Sequence, residues 1–171
     1  LVGNGFTGAF MPACFGGSEV WPTEALEIVE ALSYGDGSTG WVLMAWQVAM
    51  AAPAAYLPGE TADALFSDTL PLMAGQGGPI GRADAVDGGY MLSGNWRYGS
   101  GLLHAEYIHS GAVVHENGKP RLNPGNGLPE TRVFITPVSQ SDLQSEWDVL
   151  GVRATGSIDY EIRDLFVPEV Y

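Results

Sequence analysis

Positive charge and cysteine are what this chain has least of. Its 171 residues include one lysine, Lys119, and six arginines against 20 acidic residues, for a formal net charge of −13. With that balance no surface that tracks nucleic acid phosphates, and no binding to an anionic membrane, is expected. An anionic small ligand would have to be met by backbone N–H groups or by one of the few arginines. The lone cysteine, Cys14, excludes an internal disulfide and a cysteine metal cluster; it fits a reducing cytoplasm and reads as a small packed hydrophobe. Histidine is also scarce. His104, His109 and His115 have no carboxylate at a consistent ligand spacing, so no metal site is read, and His104 reads as a structural hydrogen-bonding residue. A long hydrophobic run is missing too: the apolar stretch from Trp41 to Met50 is broken by Gln47 and stops near Pro53, short of the roughly 20 residues a membrane span needs. No cationic start with an apolar core and cleavage site follows Leu1.

What is present is a globular composition, 46% hydrophobic, enough for one proper core. The first part reads as helical. Thr23 after Pro22 is a plausible N-cap, Glu24 and Glu27 stand where acids favour a helix start, and Leu26, Val29 and Leu32 share a face. Gly35-Asp36-Gly37-Ser38 breaks that helix and caps a second, about Thr39 to Ala52, which is apolar nearly all round and so expected to be buried on most sides. A short third helix is expected from about Glu60 to Ser67. After Pro71 the pattern turns to glycine-punctuated, β-branched and aromatic segments, which predicts antiparallel strands near 91–96, 107–114, 131–136, 144–150 and 158–166. Asn117-Gly118 is a hairpin signal.

The segment that looks most like a site is Gly94-Asn95-Trp96-Arg97-Tyr98-Gly99-Ser100-Gly101, entered from Gly88-Gly89-Tyr90. Tyr90, Leu92, Trp96 and Tyr98 fall at spacings of two, as on a strand with one packed face, and Gly99 and Gly101 free the backbone around Ser100 for a planar ligand. Gly75-Gln76-Gly77-Gly78-Pro79-Ile80-Gly81 is a glycine-rich loop that fails as a dinucleotide fingerprint, because Ile80 stands where glycine is required and Pro79 removes a donor. It reads either as a flexible connector or as a backbone wall beside a flat ligand. Ser100 lacks a nucleophile elbow. Trp46 and Trp147 read as core, and Arg153, beside Thr155 and Ser157, reads as an anion holder or a solvated turn.

In their order and spacing these pieces resemble the acyl-CoA dehydrogenase superfamily and, within it, the reduced-flavin-dependent aromatic hydroxylases. The resemblance runs through Phe10 to Gly17 with its Pro-x-x-x-Gly-Gly segment, Gly35 to Trp41, Gly88 to Gly101 with His104-Ala105, and Trp147 to Ser157 with Phe166-Val167-Pro168. It implies an α+β fold: residues 1–70 as the end of an N-terminal all-α domain, and 71–171 as an antiparallel β-barrel-like middle domain. The family's C-terminal four-helix domain is missing from this sequence. Both chain ends look abrupt, so a fragment of a longer protein is expected.

The same resemblance implies a flavin, FMN or FAD, held by Trp41 at its edge, by backbone at Gly75, Gln76 and Gly77, and by Tyr98-Gly99-Ser100, with the Ser100 hydroxyl or amide near N5. It places the dehydrogenase carboxylate base in the C-terminal domain, and the catalytic residues stay unassigned. The activity implied is monooxygenation of an aromatic substrate, with acyl-CoA dehydrogenation as the alternative and a non-catalytic binding module as a third reading. A flavin reductase partner and a homo-oligomer, a tetramer at full length, follow from the family. One departure stands out: hydroxylases of this branch often carry histidine eight positions after the tryptophan, and here that position is Ala49.

Overall fold

The computed structural model describes residues 1–144 and 146–171. Three helices come first: α1 (Pro22–Gly35), α2 (Gly37–Tyr56) and α3 (Gly59–Phe66). Helix α1 begins two residues earlier than its sequence signals suggested. Trp21 is the N-cap, its backbone N–H donating to the Glu24 carboxylate at 2.8 Å, and Thr23 lies within the first turn. Helix α2 is capped as expected, the Asp36 carboxylate accepting the Thr39 N–H at 2.8 Å and the Thr39 hydroxyl as well, and the hydroxyl bond first, then the N–H, holds the Asp36 carboxyl below its usual range. It runs on through Pro53 to Tyr56. It is buried on most sides, as at Leu43, Trp46, Ala49 and Met50, and leaves one open face along Trp41, Val48 and Tyr56.

Seven strands follow: β1 (Met73–Val86), β2 (Gly89–Gly99), β3 (Tyr107–Glu116), β4 (Lys119–Pro120), β5 (Thr131–Pro137), β6 (Asp142–Gln144) and β7 (Ile158–Pro168). They form one sheet in the order β4-β3-β1-β2-β7-β6, with β5 also pairing β3. Pairings are antiparallel except one. Strands β1 and β3 run parallel, with a register shift between Gln76 and Gly81. The turn from β3 to β4 is the expected hairpin, Asn117 and Gly118 having φ of 51° and 78°.

Three expectations are corrected here. The glycine-rich segment is no loop: Gly75 to Gly81 lies inside β1, and its bulge is what the glycines permit. The strand expected over 144–150 reduces to β6, of which only Gln144 falls in that range; residues 146–150 are irregular and Ser145 lies outside the described residues. Cys14 is exposed in a short 3₁₀ turn rather than packed.

The core is continuous between helices and sheet. Met50 and Phe66 from the helical part pack in the same cluster as Leu92, Trp96, Ile108, Phe134 and Tyr160. Trp96 needs two glycines beside it, since a Cβ at Gly81 or Gly94 would lie 2.2 or 2.7 Å from its ring. Its indole N–H donates to the Gly111 carbonyl at 2.9 Å, so the buried polar edge is satisfied. Arg121 and Arg132 both pair with Glu130 and lie over the Tyr90 ring at the β3–β5 side.

Candidate functional site

The strand alternation that packs Tyr90, Leu92 and Trp96 breaks at Tyr98. A register shift between Trp96 and Gly99, with φ of 61° at Tyr98, turns that ring outward, where it is 61% exposed. The sequence placed it on the packed face; the bulge is the reason it is not there. A left-handed backbone at a tyrosine is strained, and such strain collects at ligand sites. Asp159 holds it, accepting the Tyr98 N–H at 3.1 Å.

Ser100 follows in the turn after β2 and is buried, not open between glycines. The glycines serve the protein itself: a Cβ at Gly101, where φ is 72°, would meet Trp46 Nε1 at 2.5 Å, so glycine is what lets α2 seat against the turn. Trp46 closes the contact by donating to the Gly101 carbonyl at 3.3 Å. From the same helix Trp41, half exposed, donates its indole N–H to Ser100 Oγ at 2.9 Å. The structure thus brings Trp41 onto Ser100 from 59 positions away, into the turn that Tyr98 enters.

Two further hydroxyls sit behind Ser100. Its Oγ is 2.7 Å from Ser157 Oγ, which is 2.6 Å from Thr155 Oγ1, which donates to the Val152 carbonyl at 2.9 Å. Thr155 and Ser157 are buried. The sequence offered these hydroxyls as company for Arg153, but Arg153 pairs at the surface with Asp148 at 2.6 Å. Their partner, Ser100, is 57 positions away from Ser157, and no local pattern announces it.

Gln76 connects the bulged strand to this place. Its side-chain carbonyl accepts the Arg97 N–H at 3.1 Å, while its own backbone N–H donates to the Tyr160 hydroxyl at 3.1 Å. That backbone N–H is therefore spent inside the protein, and Gln76 braces the bulge of β1 against β2 and β7. Burial pushes the Tyr160 hydroxyl up to about 12, so it stays protonated and bonded to Ser110, Gln76 and the His109 carbonyl.

Beyond Gly77 a cavity of about 640 Å³ opens along the exposed face of α2, lined among others by Val48, Ala52, Tyr56, His109 and Arg132. Burial lowers the His109 pKa, which favours a neutral imidazole there. His109 was set aside in the sequence with the other histidines; its place on β3 opposite Gly75 is a matter of the parallel pairing. His104 packs edge-on against Trp46, with ring centroids 6.2 Å apart, where the sequence suggested a hydrogen bond. Trp147 packs partly buried against the core and edge-on to Tyr98, its indole N–H buried without a partner among the described residues. Ala49 is fully buried in the core, whereas Trp41 is half exposed. Among the described residues no cluster of three or more His, Cys, Asp or Glu is placed to hold a metal ion, and no helix is long and apolar enough to cross a membrane.

No family model matches the chain. It is 32% identical over 167 residues to an indole-3-acetate monooxygenase of Pseudomonas putida, covering 97% of this chain and 40% of that protein. It is 34% identical over 178 residues to the oxygenase component of an FADH2-dependent resorcinol hydroxylase of a Rhizobium species, covering 99% and 40%. The crystal structure of the HsaA monooxygenase of Mycobacterium tuberculosis superposes with a TM-score of 0.89 at 29% identity, over 99% of this chain and 42% of that one. The chain spans about 40% of the length of the curated relatives it matches. The α+β fold and the resemblance to the flavin-dependent hydroxylase branch of the acyl-CoA dehydrogenase superfamily are borne out over nearly the whole chain.

Proposed function

We propose that the protein containing this chain is the oxygenase component of a two-component monooxygenase, using reduced flavin, FMN or FAD, to hydroxylate an aromatic substrate. The observation that carries this reading is the bond from the half-exposed Trp41 indole to the buried Ser100 hydroxyl, in the turn that two residues earlier presents the exposed ring of Tyr98. Flat faces with one polar point suit a flat heteroaromatic ring with a polar edge. The residues present therefore fit a flavin. The relatives, which depend on flavin by their names, support the same group.

When bound, reduced flavin supplies the two electrons with which one atom of dioxygen enters an aromatic C–H and the other leaves as water. The chain's own part is to bind and orient. Trp41 would hold the edge of the ring, Tyr98 offers its ring from the strained turn, and Ser100 Oγ would meet the polar edge. Gly75, Gln76 and Gly77 form the backbone wall, held by the Arg97 and Tyr160 bonds to Gln76. The mostly apolar cavity along α2 continues from Gly77 and offers a further face, through Val48, Ala52 and Val133, for a ring placed against it. The reaction class requires a partner that delivers reduced flavin, and a homo-oligomer in a cytoplasmic setting completes the reading.

The test is an assay of the full-length protein with reduced FMN or FAD, oxygen and a panel of phenols, with a parallel assay on acyl-CoA and an electron acceptor. Hydroxylated product in the first is the expected result. Turnover only in the second would assign acyl-CoA dehydrogenation, and absence of flavin binding would leave a binding module.

A further inference from the structure

The hydroxyl chain behind Ser100 can be written in only one direction. The Val152 carbonyl has no proton to give, so the single proton of Thr155 Oγ1 goes to it, at 2.9 Å. Thr155 Oγ1 must then accept in its 2.6 Å contact with Ser157, which spends the Ser157 proton. Ser157 Oγ in turn accepts at 2.7 Å, which spends the Ser100 proton. At the other end the indole N–H of Trp41 only donates, so Ser100 Oγ takes it on one of its two lone pairs. The Ser100 backbone N–H is also spent, on the Tyr98 carbonyl at 2.8 Å. Thr155 and Ser157 are buried, so water does not compete for the inner contacts of the chain. What remains of Ser100's hydrogen-bonding capacity is one lone pair: it can accept and it cannot donate.

The two oxidation states of a flavin differ at this point. Oxidised N5 is a bare acceptor, whereas reduced N5 carries a proton. We propose that Ser157 and Thr155 are positioning residues that turn the Ser100 proton inward, so that the site accepts a hydrogen bond from reduced flavin and offers none to oxidised flavin. This rests on the flavin reading of the Trp41–Tyr98–Ser100 site. An acceptor facing an acceptor forfeits a hydrogen bond and leaves Ser100 Oγ against a lone pair, so the chain sets a preference between redox states without touching the ligand itself.

Two measurements test it. Neutron diffraction from deuterium-exchanged crystals of the chain locates the hydroxyl deuterons without any flavin. The expected result is a deuteron on Ser100 directed at Ser157 and one on Ser157 directed at Thr155; a Ser157 deuteron directed at Ser100 overturns the proposal. Anaerobic titration of the full-length protein with reduced and with oxidised FAD then gives the ratio of the two affinities. Ser157→Ala frees the Ser100 proton to turn outward, and Thr155→Val removes the acceptor that holds the Ser157 proton. Each is expected to cut the preference for reduced FAD by about threefold to tenfold, the worth of one hydrogen bond, while Ser157→Thr keeps it. A purely structural role weakens both redox states alike and leaves the ratio unchanged, which also overturns the proposal. Failure of the wild type to bind either form instead removes the flavin reading, and the direction of the chain is then decided by the deuterons alone.

Discussion

The indole of Trp96 lies flat on the ring of Tyr160, centroids 5.4 Å apart and planes 10° from parallel. One ring comes from β2 and the other from β7, so the stack fastens the two longest-range neighbours in the sheet at the level of the β1 bulge. The Tyr160 hydroxyl reaches on to Gln76, Ser110 and the His109 carbonyl.

Tyr160→Phe keeps the stack and removes that hydroxyl, taking the partner from the half-buried Gln76 backbone N–H and from the buried Ser110 hydroxyl. We expect a loss of about 1–3 kcal/mol in denaturant unfolding, the cost of an unsatisfied buried group. Hydrogen exchange at the Gln76 amide should accelerate more than that at Leu92, which the hydroxyl does not touch. Equal acceleration of both would mean that the bulge does not depend on Tyr160.

Gly101→Ala places a methyl 2.5 Å from Trp46 Nε1 in a backbone with φ of 72°. Clash and strain add, and a destabilisation of about 1–3 kcal/mol or more is expected from thermal or chemical melts. Gly118→Ala is the control: φ is similarly positive at 78°, but a Cβ there meets nothing, so it should cost less.

The helical half of the fold was legible because its signals are local. Asp36 caps α2 through a residue three positions on, and the apolar spacing of α1 needs no distant partner. Strand β1 was not legible, since its run of glycines has little strand propensity of its own; it is held by β2 and β3 and by the Tyr160 hydroxyl. Tyr98 defeated the alternation rule because a bulge shifts parity without leaving a sequence mark. For the candidate site, the turn at Ser100 and the importance of Trp41 could be seen, but Ser157 could not be tied to Ser100 by any spacing.

Acid stability should depend on Glu130. Hydrogen bonds from Arg121, then from Arg132, hold its carboxyl at about 2, against an ordinary 4.5. A carboxyl lowered on folding stabilises the protein above its unfolded value and ceases to do so as pH falls through the folded value. The wild type should therefore lose this contribution between about pH 4.5 and about 2, and Glu130→Gln should show a shallower decline across that window from a lower starting stability. Urea midpoints measured at several pH values give the comparison; parallel curves would assign the loss to other carboxylates.

Cys14 is exposed, so it should take up one equivalent of a maleimide in the native state, without denaturant. Labelling that requires unfolding would place the thiol inside instead.

Trp41→Phe removes the donor to Ser100 while keeping an aromatic ring at a half-exposed position. Stability should fall by only about 0.5–1.5 kcal/mol, the net worth of one hydrogen bond. Under the proposed function, affinity for reduced flavin in the full-length protein should fall more than the melt does, measured by anaerobic titration.

The link from Trp41 to Ser100 crosses 59 positions and that from Ser100 to Ser157 another 57. Contacts so distant along the chain can close only after loops of that length have been drawn in, and such closures are slow compared with helix or hairpin formation. The indole at position 41 therefore belongs to the late stage of folding, when α2, the end of β2 and the start of β7 have all arrived. A fluorinated tryptophan at that position would act as a clock hand, reaching its final resonance only when assembly of the domain is complete.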